Sequence, residues 1–508
     1  METIVVVAAL SLSLILFVRR ARRPPLPPGP KSSWFGFGRP PVPEMFPWKT
    51  YEKWQKTYGD LNFYYAFGSP VAIINSRKVA EDLLEKRGAI YSSRPTRTMM
   101  GDLMGWSWSF GGMAYGDRWK KYRGTFQKHF RSSTVARYEP IQLKEVQTLL
   151  LNLKRTPEDF AHHMRRNAAA LVMKINYDHD ISDEGDVYVD LAEKAMASVA
   201  KAAIHGTYAV DYLPILKYIP SWFPGALFKR QAKEWRKLSE AMLQKPFEMV
   251  KQKMASGMAG PCVTTLEIEE GAQQKDFDVT MTQGIAAVSY AAGADTTVAG
   301  VISFFLAMMT HPDIQLQAQA EIDRVVGTDR LPNFEDRNRL PFVTCITWEI
   351  LRWNPIAPIG VAHATVQDDV YEGYWIPKGT SLIPNIWRMF HDEAKYPDPH
   401  KFDPRRFEDE AKNAELGINE LPLMTFGFGR RICPGRWLAL DTIWITVASV
   451  LAVYNISKPK DENGVDVEQD VKYAGTVVSR PEPFKCLFVP RSKEALDLIT
   501  QGGGQRAA

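Results

Sequence analysis

A single thiol in front of a long apolar segment is the feature of this sequence with the clearest chemical potential. Cys433 lies in the loop formed by residues 426–435, and an apolar helix is predicted from about Arg436 to Val453. Backbone N–H groups and the positive dipole end at a helix N-terminus stabilise a thiolate. The position of Cys433 therefore suits a thiolate ligand, although a lone cysteine is most often a buried structural residue.

The residues around Cys433 suit a flat ligand with an anionic group. Gly429 and Gly435 permit tight backbone geometry close to such a ligand. Arg431 lies two residues before the thiol and could reach an anionic group beside it. A loop of this kind is a workable proximal ligand loop for a haem iron.

A second chemical feature is an acid and a hydroxyl in an apolar helical segment. Asp295 and Thr296 lie within residues 292–297, which read Ala-Gly-Ala-Asp-Thr-Thr. Spacings of three and four residues predict one helical face formed by Met281, Ile285, Val288, Ala292, Thr296 and Ala299. Either this is a core helix whose threonines bond back to backbone carbonyls, or the acid and the hydroxyl deliver protons in a site.

Two further pairs of residues have helical spacing. Glu349 and Arg352 are spaced i,i+3 and can form an ion pair. Trp119 and Arg123 lie one helical turn apart on one face. Spacing alone assigns no function to either pair. Most ion pairs such as that of Glu349 and Arg352 are solvated and contribute little stability, and an arginine such as Arg123 is exposed by default.

Composition excludes several classes of protein. The 508 residues include 63 Lys and Arg against 58 Asp and Glu, and this net charge of +5 does not indicate a nucleic-acid-binding protein. The four cysteines form no CxxC pair, so neither a zinc site nor a disulfide framework is predicted. Length alone suggests two or more domains, but we predict a single catalytic domain over residues 31–508.

The N-terminal segment differs from the rest of the chain. Residues 4–18 are uncharged and rich in Ile, Val and Leu, and arginines follow at positions 19, 20, 22 and 23. A cleaved signal peptide would carry its positive charge before the apolar run. Arginines after the run instead predict a signal anchor at residues 1–23 with the body in the cytosol. The proline-rich hinge at residues 24–30 is predicted to be stiff and extended, holding the body off the membrane.

The elements that must position these residues are mostly helical. Helical periodicity extends from about Arg118 to Thr310, with breaks near residues 183–186, 208–225 and 259–278. The last break is polar and predicts a surface loop. A hairpin is predicted around Gly68, and short strands are predicted late in the chain. The expected fold class is mainly α with small β-sheets (α+β).

Five residues of the thiol-containing loop carry a resemblance to a known family. The spacing F-x-x-G-x-R-x-C-x-G is met by Phe426, Gly429, Arg431, Cys433 and Gly435. It resembles the haem-ligand signature of the cytochrome P-450 superfamily, and four further motifs appear in that family's order. The resemblance implies a cytochrome P-450 fold with an N-terminal membrane-anchor helix. It also implies haem b (iron protoporphyrin IX) as cofactor and Cys433 as the axial ligand of its iron.

The same resemblance assigns roles to the other motifs. Residues 292–297 resemble the family's oxygen-binding helix, which implies that Thr296 hydrogen-bonds to bound dioxygen and that Asp295 relays protons. The E-x-x-R match implies a buried network beneath the thiolate loop, made of Glu349, Arg352 and Arg406. The remaining residues implied to bind the haem, several of them through its propionates, are Trp119, Arg123, His363, Phe426, Arg431 and Gly435.

The substrate pocket implied by the resemblance is almost entirely apolar, and each of its positions could equally be core packing. The candidates are Met104, Phe110, Ile285, Val288, Ala292, Ile359, Val361 and Val477. Methionine adapts to irregular ligands, so the pocket suits a hydrophobic small molecule. Short segments at residues 103–106 and 352–355 resemble fungal microsomal members that oxidise secondary metabolites with polyketide, indole or terpenoid scaffolds.

The resulting hypothesis is a membrane-anchored haem-thiolate monooxygenase that uses O2 to oxidise a hydrophobic small molecule. The resemblance implies electrons from NADPH through NADPH–cytochrome P-450 reductase, and a single-pass location in the endoplasmic reticulum membrane. The reductase is predicted to dock on basic residues of the proximal surface, namely Lys120, Lys121, Lys128, Arg430 and Arg436. Two alternatives stay open: a haem-thiolate isomerase or dehydratase that needs no O2, and a non-enzymatic haem-binding sensor.

Overall fold

A computed structural model describes residues 23–31, 42–183, 185–204, 206–273, 277–416, 418, 421–475 and 477–501. Of the predicted signal anchor only Arg23 falls within these ranges, so the anchor lies outside the described residues.

The proline-rich hinge lies against the body of the protein. The carbonyl oxygen of Pro28 accepts a hydrogen bond from the backbone N–H of Phe63 at 3.0 Å, and that of Pro25 accepts one from Trp375 at 2.8 Å. A Cβ on Gly29 would overlap the carbonyl oxygen of Phe63, so only glycine allows this close approach. Residues 24–30 form neither a helix nor a strand, because proline cannot continue a helix.

Helices make up most of the described structure. Those before the long central helix are α1 (Pro47–Tyr58), α2 (Arg77–Ala80), α3 (Gly88–Tyr91), α4 (Asp117–Phe130), α5 (Ser132–Val135), α6 (Glu139–Arg155), α7 (Phe160–Tyr177), α8 (Val187–Ala203), α9 (Leu227–Ala255) and α10 (Val263–Ala272). The central helix and those after it are α11 (Val279–Thr310), α12 (Pro312–Val325), α13 (Pro341–Trp353), α14 (Ile386–Phe390), α15 (Glu410–Leu416), α16 (Arg436–Val453) and α17 (Lys493–Gln501). The predicted helix after Cys433 is confirmed with the same bounds.

Three small sheets complete the described fold. Their strands are β1 (Leu61–Ala66), β2 (Ser69–Ile74), β3 (His363–Ala364), β4 (Asp369–Tyr371), β5 (Tyr374–Ile376), β6 (Ser381–Pro384), β7 (Tyr454–Ser457) and β8 (Leu487–Pro490). The largest sheet has the order β1-β2-β6-β3, with β2 and β6 parallel and the other neighbours antiparallel. The hairpin predicted around Gly68 is confirmed as β1 and β2. The other two sheets are the antiparallel pairs β4–β5 and β7–β8.

Helices α11 and α16 form the centre of the molecule. Both are apolar around most of their circumference, and they pack on each other and on α7, α6 and α13. Among the described helices these two are also long and apolar enough to cross a membrane, with 72% and 61% of the relevant window buried inside the protein. Burial on this scale is expected of core helices, because a helix that is hydrophobic all round must be covered.

The prediction of a surface loop at residues 259–278 is wrong over part of that segment. Residues 259–278 were expected to form a surface loop, but they contain helix α10. Its start is capped, since the backbone N–H of Cys262 donates to Thr265 at 2.8 Å and the Cys262 sulfur accepts from the Thr265 N–H at 3.4 Å. Glu267 is buried and contacts His129 at 2.6 Å, so tertiary packing stabilises a segment whose composition is polar.

Candidate active site

The loop that carries Cys433 is fixed by its own backbone and by the helix behind it. The Cys433 N–H donates to the carbonyl oxygen of Phe426 at 2.8 Å, and Arg436 donates to the carbonyl oxygen of Cys433 at 3.0 Å. Gly429 has a positive φ of 54°, and a Cβ there would overlap the carbonyl oxygen of Leu84. Position 429 therefore requires glycine because the backbone of residues 84–85 leaves no room for a side chain.

The electrostatic environment of the Cys433 thiol contains opposing influences. Burial raises the pKa of this thiol, because it disfavours the charged form. The backbone N–H groups of Gly435 and Arg436 and the positive charge of Arg123 act in the opposite direction. These groups are the helix N-terminus and the nearby cations that a thiolate metal ligand requires.

Cys433 opens onto a large internal cavity of about 390 Å³, which we call the inner cavity. Its walls come from α4, α7, α11, the start of α16 and the segments around residues 356–363 and 425–435. Every residue predicted to bind the cofactor lines it: Trp119, Arg123, His363, Phe426, Arg431, Cys433 and Gly435. The structure therefore brings together side chains that are more than 300 residues apart in the chain.

Three guanidinium groups surround one part of the inner cavity: those of Arg94, Arg123 and Arg431. Burial and their mutual repulsion lower the pKa of Arg94 to about 9, and burial lowers those of Arg123 and Arg431 to about 10. All three still carry a positive charge at neutral pH. Their hydrogen-bond acceptors within the described residues are backbone carbonyl oxygens and not carboxylates.

Three cations without carboxylate partners in the described chain, of which Arg123 and Arg431 are buried and Arg94 is half-buried, favour an anionic ligand. A planar group that carries two carboxylates and an iron fits this set, because the carboxylates match the guanidinium groups and the iron matches Cys433. Arg94 was not among the predicted residues. The sequence offered no spacing signal for it, since it belongs to no helical pair and its role appears only when residues 94, 123 and 431 are seen together.

His363 is buried on β3 beside these cations. Its Nδ1 contacts the carbonyl oxygen of Tyr91 at 2.8 Å, so this nitrogen carries the proton and donates. Burial lowers the pKa of His363 to about 3, and the charges of Arg94 and Arg431 act in the same direction. The imidazole is therefore neutral, and its Nε2 becomes a donor towards a carboxylate only after protonation.

The structure separates Asp295 from Thr296. Thr296 lines the inner cavity, and its hydroxyl donates to the carbonyl oxygen of Ala292 at 2.7 Å. Asp295 instead lines a small pocket of about 20 Å³ on the other side of α11, together with Arg165, Glu193 and other residues. Adjacent residues on a helix differ by about 100° in direction, which explains the separation.

The predicted substrate residues fall into three groups. Phe110, Val288, Ala292 and Val361 line the inner cavity. Ile359 and Val477 line a neighbouring cavity, which Val361 also borders. Met104 and Ile285 are buried in the hydrophobic core and line neither cavity, because each is turned towards packed neighbours.

The predicted ionic network is assembled and buried. Both oxygens of Glu349 accept from Arg352, at 2.7 and 2.8 Å, and Oε1 also accepts from Arg406 at 3.1 Å. Arg352 further donates to the carbonyl oxygens of Phe390 and Pro399. The network therefore ties helix α13 to the segment at residues 390–406.

Comparison with known proteins agrees with this geometry. The family model described as Cytochrome P450 matches residues 27–488. A cytochrome P450 monooxygenase of Armillaria gallica is 44% identical over 85% of this chain and 85% of its own length. The tryptamine 4-monooxygenase of Psilocybe cyanescens is 36% identical over 95% of this chain and 96% of its own length.

The fold is also similar to a solved structure. A zebrafish cytochrome P450 with abiraterone has a TM-score of 0.70 and 20% sequence identity, covering 88% of this chain and 100% of that one. At this identity the likeness concerns the fold alone, whereas the family match and the fungal relatives extend along nearly the whole chain. We conclude that this protein is a haem-dependent monooxygenase that belongs to the cytochrome P450 family.

Proposed function

We propose that this protein is a membrane-anchored fungal monooxygenase that oxidises a hydrophobic small molecule of secondary metabolism. The observation that carries the proposal is the inner cavity, whose walls contain a thiol, three guanidinium groups and the Thr296 hydroxyl on α11. The remaining lining is largely apolar, so it accepts an apolar ligand and excludes water. Among polyketide, indole and terpenoid scaffolds, the tryptamine 4-monooxygenase relative supports an indole, because tryptamine is an indole.

Bound haem would supply the redox chemistry that activates dioxygen. Cys433 would hold its iron, while Arg94, Arg123, Arg431 and Trp119 would orient its carboxylates. The ligand loop would keep its position because its backbone hydrogen bonds and the Glu349 network fix the surrounding segments.

Proton delivery would depend on α11. The Thr296 hydroxyl bonds to the carbonyl oxygen of Ala292, and rotation about its χ1 bond would turn it towards a ligand in the inner cavity. Asp295 is exposed and faces a separate pocket, so its carboxylate would collect protons from solvent. When the Asp295 side chain turns towards the side of α11 that carries Thr296, a proton would pass to that side.

Electrons would come from NADPH through a flavoprotein reductase. Of the five predicted docking residues, Lys120 pairs with Asp117, and Lys128 pairs with Glu267 and Glu270. Lys121 and Arg430 are exposed and remain suited to an acidic partner. The single-pass anchor at residues 1–23 would keep this face in the cytosol at the endoplasmic reticulum membrane.

The decisive test is the spectrum of the CO-bound ferrous protein. Cys433→Ala should abolish the red-shifted band of a thiolate-ligated haem and all NADPH-dependent turnover. Cys345→Ala is the matched control, because Cys345 is a buried thiol that does not line the inner cavity. Retention of the band in Cys433→Ala would contradict the proposed ligand, and turnover without NADPH would favour an isomerase or dehydratase.

A further inference from the structure

The lining of the inner cavity carries no acidic side chain among the described residues. Its permanently charged groups are the guanidinium groups of Arg94, Arg123 and Arg431. Asp295 lies between lining residues in the sequence but faces the separate pocket on the other side of α11. A ligand with a positive charge would therefore find no counter-charge on a described residue of this cavity, and an unpaired buried charge is strongly unfavourable.

One hydroxyl of the lining, that of Ser289 on α11, has a buried amide behind it. Ser289 is 8% exposed, and its Oγ accepts a hydrogen bond at 3.0 Å from Nδ2 of Asn176, a completely buried residue of α7. The same Nδ2 donates to the carbonyl oxygen of Val172 at 2.8 Å. The reverse orientation of the amide would place two oxygens against each other. The Val172 carbonyl therefore fixes Asn176 as the donor to Ser289.

Because Asn176 donates, the Ser289 hydroxyl keeps its own hydrogen for another acceptor. It donates no hydrogen bond to a residue of the described chain. The hydroxyls of Thr296 and Thr442, which also line the inner cavity, instead donate to carbonyl oxygens of their own helices. A serine hydroxyl has one donor, and a bond that it accepts polarises the bond that it donates. Ser289 is thus a donor that a ligand in the inner cavity can use.

Ser289 and Thr296 lie on the same side of α11. Positions 289 and 296 are nearly two full helical turns apart, which corresponds to a rise of about 10 Å. Both residues line the inner cavity, and the side chain of Ala292 between them is only a methyl group. A ligand that lies along this face therefore reaches the Ser289 donor with one end and the Thr296 hydroxyl with the other.

We propose that the substrate is a neutral molecule with a hydrogen-bond acceptor, such as a carbonyl oxygen, that binds to the Ser289 hydroxyl. This inference rests on the proposed function, since it narrows the substrate class of the same oxidation site. The acceptor would lie about 10 Å along α11 from Thr296, so Ser289 determines which end of the molecule is presented for oxidation. A protonated amine is disfavoured, because the described lining supplies no carboxylate for it.

The test is a calorimetric binding measurement on the full-length, haem-loaded protein at neutral pH without NADPH. The probes are N-acetyltryptamine, which is a neutral indole with a carbonyl oxygen, 3-pentylindole, which has a side chain of matching length without that acceptor, and tryptamine, whose primary amine is protonated at this pH. The unsubstituted protein should bind N-acetyltryptamine at least about 10-fold more tightly than tryptamine. Ser289→Ala should weaken binding of N-acetyltryptamine by about 3- to 10-fold, the range of a neutral hydrogen bond, and should leave binding of 3-pentylindole unchanged.

Ser303→Ala is the matched control. Ser303 is a buried serine of the same helix that donates to the carbonyl oxygen of Ala299 at 2.9 Å and does not line the inner cavity. This variant should leave all three affinities unchanged. The proposal would be overturned if N-acetyltryptamine bound no more tightly than tryptamine, or if Ser289→Ala changed the affinities for N-acetyltryptamine and 3-pentylindole equally. Failure of the monooxygenase assignment would be seen separately in the CO spectrum of the same preparation, which does not depend on Ser289.

Discussion

Replacement of Glu349 by glutamine is expected to destabilise the protein strongly. Glu349 and Arg352 are both completely buried, and the carboxylate accepts four hydrogen bonds, from Arg352 twice, from Arg406 and from the backbone N–H of Asp403. Glutamine keeps one oxygen but places an NH2 group against an arginine donor. The buried guanidinium of Arg352 also loses its counter-charge.

The size of the effect follows from these contacts. Removing one partner of a buried ion pair costs about 3–5 kcal/mol, because the remaining charge is uncompensated. A domain is stable by only about 5–15 kcal/mol, so this loss is a large fraction of the total. In addition, the network ties α13 to residues 390–406. We therefore expect the thiolate-type CO spectrum of Glu349→Gln to disappear at a lower urea concentration than that of the unsubstituted protein.

The control is Glu234→Gln, which makes the same chemical change in another i,i+3 pair. Glu234 and Lys237 are both 65% exposed, and such a pair contributes about 0–1 kcal/mol. The free energy of unfolding of both variants is measured by urea titration, followed by circular dichroism and by the CO spectrum. A loss below about 1 kcal/mol for Glu349→Gln, or a loss equal to that of Glu234→Gln, would refute the argument from burial.

Three further outcomes are expected. Thr296→Ala should keep the fold and the CO spectrum while NADPH is consumed with little product, and unchanged coupling of NADPH to product would show that α11 acts only in packing. Burial lowers the pKa of His391 from 6.5 to about 3. Below pH 6.5 the unfolded chain therefore binds a proton that the folded protein does not take up. For this reason the stability of the folded protein falls as the pH drops from 6.5 towards 3. Between pH 7 and pH 5, the free energy of unfolding measured in urea titrations should therefore fall by about 2 kcal/mol less in His391→Gln than in the unsubstituted protein. Identical pH profiles of the two proteins would contradict this. Charge reversal at Lys121 and Arg430 together should slow reductase-driven turnover, most at low salt, while peroxide-driven turnover changes little; equal losses in both assays would indicate damage to the haem site instead.

The sequence determined the local features of this protein. The loop around Cys433, the helix Arg436–Val453 and the β1–β2 hairpin depend on glycine positions and on hydrophobic periodicity, which are properties of neighbouring residues. The pairing of Glu349 with Arg352 follows from i,i+3 spacing in the same way. The motif spacing also implied the family, which the comparisons then confirmed.

Only the tertiary structure decided which distant groups meet and which way neighbouring groups face. Helix α10 was missed because its composition is polar, and contacts such as the buried one between Glu267 and His129 join residues that are far apart in the chain. Arg94 joins the cations of the inner cavity through packing of a loop that carries no motif. Asp295 and Thr296 are adjacent in sequence, yet a helix turns them to different sides, and the sequence does not reveal what covers each side.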